Sequence, residues 1–297
     1  MTAGREFVAQ YAKRGPRAWE AAALQLAREG GLTPRAWVDL PLTDGTNTVV
    51  LKVMSDVLAV GPVEDSVRLP LTPQTAQSIL NLTGTLLPTP WLEYQIWRAA
   101  PVKLEPRGMV PNRFQDLEQF AEHSRIVDAQ IAALPSPTDK AGKLISGQTK
   151  AVVVSNIYKP GKVVIFGWYL PNGKDVFDDG QKPNAPDRQP VQPKSNVHGD
   201  FFWDYSHGIR GIGTTAIVNG KPMPTVELYQ HPTLSRLVSN EGPVRVPRYP
   251  SSVPVASPPE PIAGPVRYTP DPNVRTEPSV AQWELDQIAD RARGRIS

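Results

Sequence analysis

The sequence predicts an α+β fold, a helical N-terminal half packed on an antiparallel β-sheet. Three observations carry that prediction. Helical periodicity dominates to about residue 135, β-branched runs dominate from about 150 to 230, and no helix-length pattern between those runs offers a parallel crossover. A proline-rich stretch and a final helical pattern follow. Residues 1–242 therefore read as one α+β globular domain, 243–278 as an extended strap, and 279–297 as a docking helix.

Composition bounds the class. Of 297 residues, 40% are hydrophobic and 21% charged, enough to bury a core, so wholesale disorder is excluded. The absence of cysteine removes disulfides, thiolate nucleophiles and Cys-ligated metal sites. Lys and Arg total 32 against 29 Asp and Glu, a net charge of +3 that leaves no electrostatic footprint for nucleic acid. Residues 1–6 lack the apolar region of a signal peptide. The longest uncharged run, 69–92, holds Pro70, Pro73, Pro88 and Pro90, so no membrane insertion is expected.

The elements follow in order. Residues 18–29 are rich in Ala, Leu, Glu and Arg and stop at Gly30-Gly31, a helix with a glycine terminator. Residues 47–60 read as two short strands hairpinned around Ser55-Asp56. Thr72-Pro73 and Thr89-Pro90 each place a capping hydroxyl before a first-turn proline, predicting helices over 73–82 and 90–99. In the second of these, Trp91, Tyr94 and Trp97 fall at core-packing spacing. A further helix spans 112–133, with His123 placed on its solvent face. Strands at 151–157 and 163–169 flank a turn at 158–162, and 171–196 reads as a long loop. Strands at 214–218 and 225–229 are joined through Asn219-Gly220, a two-residue hairpin signal. Beyond Gly242, 11 of the 36 residues from 243 to 278 are proline, which favours an extended polyproline-like strap. Val280, Trp283 and Ile288 then give the last helix an apolar stripe for docking on a protein partner or a second copy of the chain.

Phosphate-loop, dinucleotide, nucleophile-elbow and His-Glu-x-x-His patterns are all absent, so no cofactor is implied. One segment, 196–210, concentrates chemistry. It holds two of the four histidines, His198 and His207, with Asp200, Asp204, Tyr205, Ser206 and Arg210 around Phe201-Phe202-Trp203. Imidazoles supply acid–base capacity near neutral pH, carboxylates orient them, and a guanidinium binds an anion or a polarised carbonyl. The candidate catalytic set is therefore His207 as acid or base, Asp204 as its orienting partner, and Arg210 as substrate clamp. His198 and Lys150 would complete the cleft. Trp168, Trp203, Tyr205 and Ser206 are the candidate substrate-binding residues. His198, Asp200, Asp204 and His207 form an alternative metal-ligand set, without a standard zinc spacing.

His198-Gly199 and Ser206-His207-Gly208-Ile209-Arg210 resemble the paired His-Gly and Ser-His-Gly-Cys-Ile/Val-Arg elements of L,D-transpeptidases. The family's nucleophilic cysteine has no counterpart here, so the resemblance does not carry transpeptidation to this chain. Over roughly residues 20–215 the chain is also similar to a family of bacterial proteins, often exported, of uncharacterised activity. The matching elements are Phe166-Gly167-Trp168, Asp204-Tyr-Ser-His-Gly-Ile-Arg210 and the helix start at 70–77. The Gly-x-Lys-Lys-Asp element of that family appears here as Gly147-Gln148-Thr149-Lys150-Ala151, without the acid.

Two functional readings follow. In the first, the chain is a cell-envelope-associated hydrolase-like protein, or a degenerate relative, that acts on or binds peptidoglycan or another polysaccharide through 198–210. A carbohydrate-binding variant of it uses Trp168, Trp203 and Tyr205 as exposed stacking surfaces. In the second, it is a structural component of a virion, tail or surface assembly that docks through 243–297.

Overall fold

Glycine and proline set the first two helices. In a computed structural model whose described residues are 2–110, 112–134, 142–172 and 190–255, α1 (Gly4–Tyr11) leads through Gly15, at φ +80°, into α2 (Pro16–Arg28). A positive φ of that kind costs glycine little and most side chains more. Helix α2 buries Trp19, Glu20 and Ala23. The Glu20 carboxylate accepts from the Thr72 N–H at 2.6 Å and from the Thr72 and Thr75 hydroxyls at 3.0 Å each. Those bonds fix α2 to the start of the third helix.

Strands β1 (Trp37–Thr43) and β2 (Thr48–Met54) form the first hairpin, with Leu40 opposite Leu51. This corrects the expected hairpin around Ser55-Asp56. Asp56 is fully buried and ion-paired to Arg68 at 2.7 Å, so that dipeptide is an internal anchor and not a surface turn. The residues after it form β3 (Ala59–Val60), which pairs with β4 (Val67–Arg68).

Helices α3 (Pro73–Leu82) and α4 (Pro90–Ala99) carry the expected caps, Thr72 accepting from the Thr75 N–H and Thr89 from the Leu92 N–H. Strand β5 (Thr85–Leu86) lies between them, and β6 (Val102–Lys103) follows. Tyr94 and Trp97 pack into the core, the Trp97 ring 4.7 Å from that of Tyr169. Helix α5 (Leu117–Ala132) begins later than the pattern implied, because Gln115 takes φ +58° and Asp116 provides the cap. His123, expected on its solvent face, is buried instead with its ring 5.0 Å from Tyr205. The cause is that this face of α5 packs on β4, where Ser124 accepts from the Arg68 N–H at 2.9 Å.

The second half supplies β7 (Ile145–Ser146), β8 (Lys150–Val152), β9 (Ile165–Tyr169), β10 (Pro190–Ser195), β11 (His207–Gly208), β12 (Ile212–Val218) and β13 (Lys221–Pro224). A five-stranded sheet runs β1-β2-β12-β13 with β5 also on β12, all antiparallel. A four-stranded sheet runs β10-β9-β8-β11, antiparallel except where β11 meets β8. The fold is therefore α+β, but both halves of the chain build the larger sheet.

Three further expectations change. Residues 225–229 are not a strand: Thr225, Leu228 and Tyr229 turn inward at helical spacing on α6 (Thr225–Gln230). Pro224 is the last residue of the strand before it. The end of the expected 171–196 loop is strand β10, while 173–189 lie outside the described residues. The beginning of the strap, 243–255, belongs to the domain, for Val244, Tyr249 and Val253 are buried. The Tyr249 hydroxyl donates to the Val153 carbonyl and accepts from the Val164 N–H, each at 2.9 Å. The rest of the strap and the terminal helix, 256–297, lie outside the described residues. Among the described residues no helix is long and apolar enough to cross a membrane.

Candidate functional site

Parallel pairing of β11 with β8 sets His207 beside Lys150 and Gly208 beside Ala151. The Lys150 N–H donates to the Ser206 carbonyl at 2.6 Å. Glycine is required for this approach, since a Cβ on Gly208 would stand 2.2 Å from the Thr149 hydroxyl. The Gly147-Gln148-Thr149-Lys150 element and the Asp204–Arg210 element are thus two sides of one junction.

Most polar groups of that junction are bonded inward. Asp204 Oδ1 accepts from the Ser206 N–H at 2.8 Å and from the Ser206 hydroxyl at 2.5 Å, and Oδ2 accepts from Asn112 at 2.9 Å. Burial alone would raise the Asp204 carboxyl. His207, the Ser206 bond, Lys150 and Asn112 outweigh it and hold the group below the usual carboxylate range. Ser206 is fully buried, with its proton directed at Asp204 and not at an imidazole. The Tyr205 hydroxyl accepts from the Met109 N–H at 2.7 Å.

Arg210 was expected to clamp substrate. Instead it is buried, donating to the carbonyls of Met54 at 2.6 Å and Ile145 at 2.7 Å, with Nε 3.9 Å from Glu93. It joins β2, β7 and α4, and its side chain is 2% exposed. Trp168, Trp203 and Tyr205 are likewise buried, so none is an exposed stacking surface. Trp203 packs edge-on against Trp19, 6.0 Å between ring centres.

Three basic side chains behave differently. His207 is 2% exposed, and neither ring nitrogen has a hydrogen-bond partner. Burial, aided by Lys150 and His198 and opposed by Asp204, pushes its imidazole down to about 4, so it is neutral at pH 7. Lys150 is half-buried with its ammonium 5.0 Å from the centre of the Trp168 ring. His198 is half-buried, stacked on Phe202 at 3.8 Å and 7° between planes, and partial burial with the charge of Lys150 lowers its pKa. The Phe202 ring centre is also 6.1 Å from that of His207.

The metal alternative fails on geometry. Among the described residues no three His, Asp or Glu side chains are grouped to hold an ion, and Asp200 accepts from Gln74 instead.

Sequence reasoning missed a buried charge network beneath the junction. Asp56 takes Arg68 at 2.7 Å and accepts from Gln148 at 2.8 Å, while Arg68 also reaches Asp128 at 3.1 Å. Its signal is a single charge inside an apolar run, as in Val67-Arg68-Leu69 and Leu92-Glu93-Tyr94. Also missed was an aromatic surface. Phe201 is 72% and Phe114 55% exposed, the Phe114 ring lies 4.9 Å from Phe202, and Gln115 donates to the Phe201 carbonyl at 2.7 Å. No family model, curated protein or solved structure matches the chain.

Proposed function

We propose that the protein is a non-enzymatic structural component of a larger virion, tail or surface assembly. One observation carries this reading: Asp204, Tyr205, Ser206 and Arg210 bond inward, while the exposed part of the same region is aromatic. A hydrolase that works through a side-chain nucleophile needs that group and its base aimed at a cleft. Here the Ser206 hydroxyl is sealed against Asp204. Rings exposed to this degree, with Val197 (70% exposed) close by in the chain, suit an apolar protein partner. Residues 256–297, which the sequence reads as the rest of the strap and a docking helix, are the proposed second contact.

A photo-crosslinking residue at position 201, compared with one at 217 on β12, tests this in the cell that makes the protein. A protein adduct specific to 201, lost in Phe114→Ser, is the expected result. Release of reducing ends or amines from peptidoglycan or polysaccharide, abolished by His207→Ala, would overturn it.

A second reading keeps a specific observation in its favour. Lys150, His198 and His207 stand together without hydrogen-bonded partners, as the working end of a hydrolase-like envelope protein or its degenerate, polymer-binding relative would. Binding of the pure protein to peptidoglycan or polysaccharide in a pull-down, lost in Lys150→Met, would favour it.

A further inference from the structure

We infer that Lys150, His198 and His207 form a binding site for a single carboxylate group. The proposal stands on unpaired donors at one junction and is independent of the assembly reading. Lys150 offers an ammonium with three N–H donors, and among the described residues no carboxylate lies within ion-pair distance of it. His207 is its cross-strand neighbour on β11, and both of its ring nitrogens are buried without a partner. An unpaired polar atom in the interior costs on the order of a hydrogen bond's desolvation, so a ligand that supplies the partner gains that difference on binding. His198 adds a third donor at the surface, held in place by its stack on Phe202.

The charges choose the ligand. Asp204 accepts from Ser206 and Asn112 and makes no ion pair with Lys150, so it does not neutralise Lys150 by contact. Its charge nevertheless acts on both imidazoles, opposing the lowering of His198 and His207. One fixed cation beside one fixed anion tolerates a monoanion and repels a dianion. A carboxylate has two oxygens for two donors, Lys150 and an imidazole N–H, and carries one charge. A neutral alcohol would leave the ammonium without an anionic partner, and phosphate would bring a second negative charge towards Asp204.

Such a carboxylate comes from an acidic sugar or from the end of a peptide chain. The test is a titration of the full-length protein followed by the imidazole nitrogen resonances. Glucuronate and N-acetylglycine represent the two sources, with phosphate and chloride as comparisons at equal ionic strength. Saturable shifts at both His198 and His207 are expected with at least one carboxylate, and the stronger of the two identifies the source. Lys150→Met, which keeps the stem on Trp168, should weaken that binding about tenfold, the weight of one charge-assisted hydrogen bond. Lys221→Met, on the far sheet, should leave it unchanged. Absence of saturation with either carboxylate in the wild-type protein would overturn the site, and so would stronger saturation by phosphate or chloride.

Discussion

At Arg210 one guanidinium holds three parts of the molecule together. It satisfies the carbonyls of Met54 and Ile145 and stands 3.9 Å from a Glu93 carboxyl that burial pushes up and Arg210 pulls back. Removing one partner of a buried ionic contact strands the other, which typically costs about 3–5 kcal/mol. Arg210→Met is therefore expected to lose about that much in urea unfolding. In a Glu93→Gln background the loss should be smaller, because only the two carbonyls are then left unpaired. Equal losses in both backgrounds would mean that Glu93 and Arg210 do not interact. The histidines give a separate signature. Burial holds His207 and His123 down to about 4, below the ordinary 6.5 of an unfolded chain. Between those values the unfolded chain binds more protons than the fold, so stability is lost as pH falls from about 6.5 towards 4. Each group contributes up to about 3 kcal/mol across that window. Glu20 and Glu93, whose carboxyls burial raises, act in the opposite sense. His207→Phe should flatten the loss between pH 6.5 and 4 relative to wild type, measured by urea unfolding at fixed pH steps. An unchanged slope would show that His207 is not buried neutral.

At the level of elements, proline serves the sheets as much as the strap. Three outer strands carry it: Pro41 on β1, Pro222 and Pro224 on β13, and Pro190 and Pro193 on β10. A proline nitrogen has no hydrogen to donate, so these strands present interrupted edges to any other chain. Pro222 and Pro224 stand two apart, opposite Ile217 and Thr215, so both missing donors fall on the free side of β13. Replacing both with Val should leave the melting temperature within a few degrees and raise light scattering on storage at high concentration. A variant as soluble as wild type would show that this edge needs no such protection. The same level explains what the sequence made legible. Caps and breakers act over a few residues, so the Thr72-Pro73 and Thr89-Pro90 helices and the Asn219-Gly220 turn could be read directly. β1 could not be paired with β2 because Pro41 and Asp39 disguise it as a loop.

For the whole molecule, the pattern of helices then strands gave α+β correctly, yet the larger sheet joins β2 to β12 across more than 150 positions. No local period reports such a pairing. The junction of Lys150 with His207 was legible as a collection of residues, because both elements were picked out by composition. Which groups turn inward was not, since burial depends on β11 docking beside β8. The strap shows the same limit most clearly. Its proline content suggested a detachable arm beginning at 243, but 243–255 are fastened along the domain. Tyr249 closes the gap between Val153 and Val164, its N–H donates to Gln77, Asn81 donates to the Val253 carbonyl, and Arg248 reaches Asn81. Removing these residues opens the tyrosine's site and leaves a backbone donor and acceptor unpaired, and burying a residue of that size is worth several kcal/mol. Truncation after Gly242 is therefore expected to unfold the domain or lower its melting temperature by more than ten degrees. Truncation after Val255 should leave the melting temperature nearly unchanged, while the proposed docking through 256–297 predicts that it loses assembly. Circular dichroism melts of the two truncated chains separate these outcomes, and sedimentation with partner protein reads the assembly. A stable chain ending at Gly242 would mean that the strap rests on the domain without supporting it.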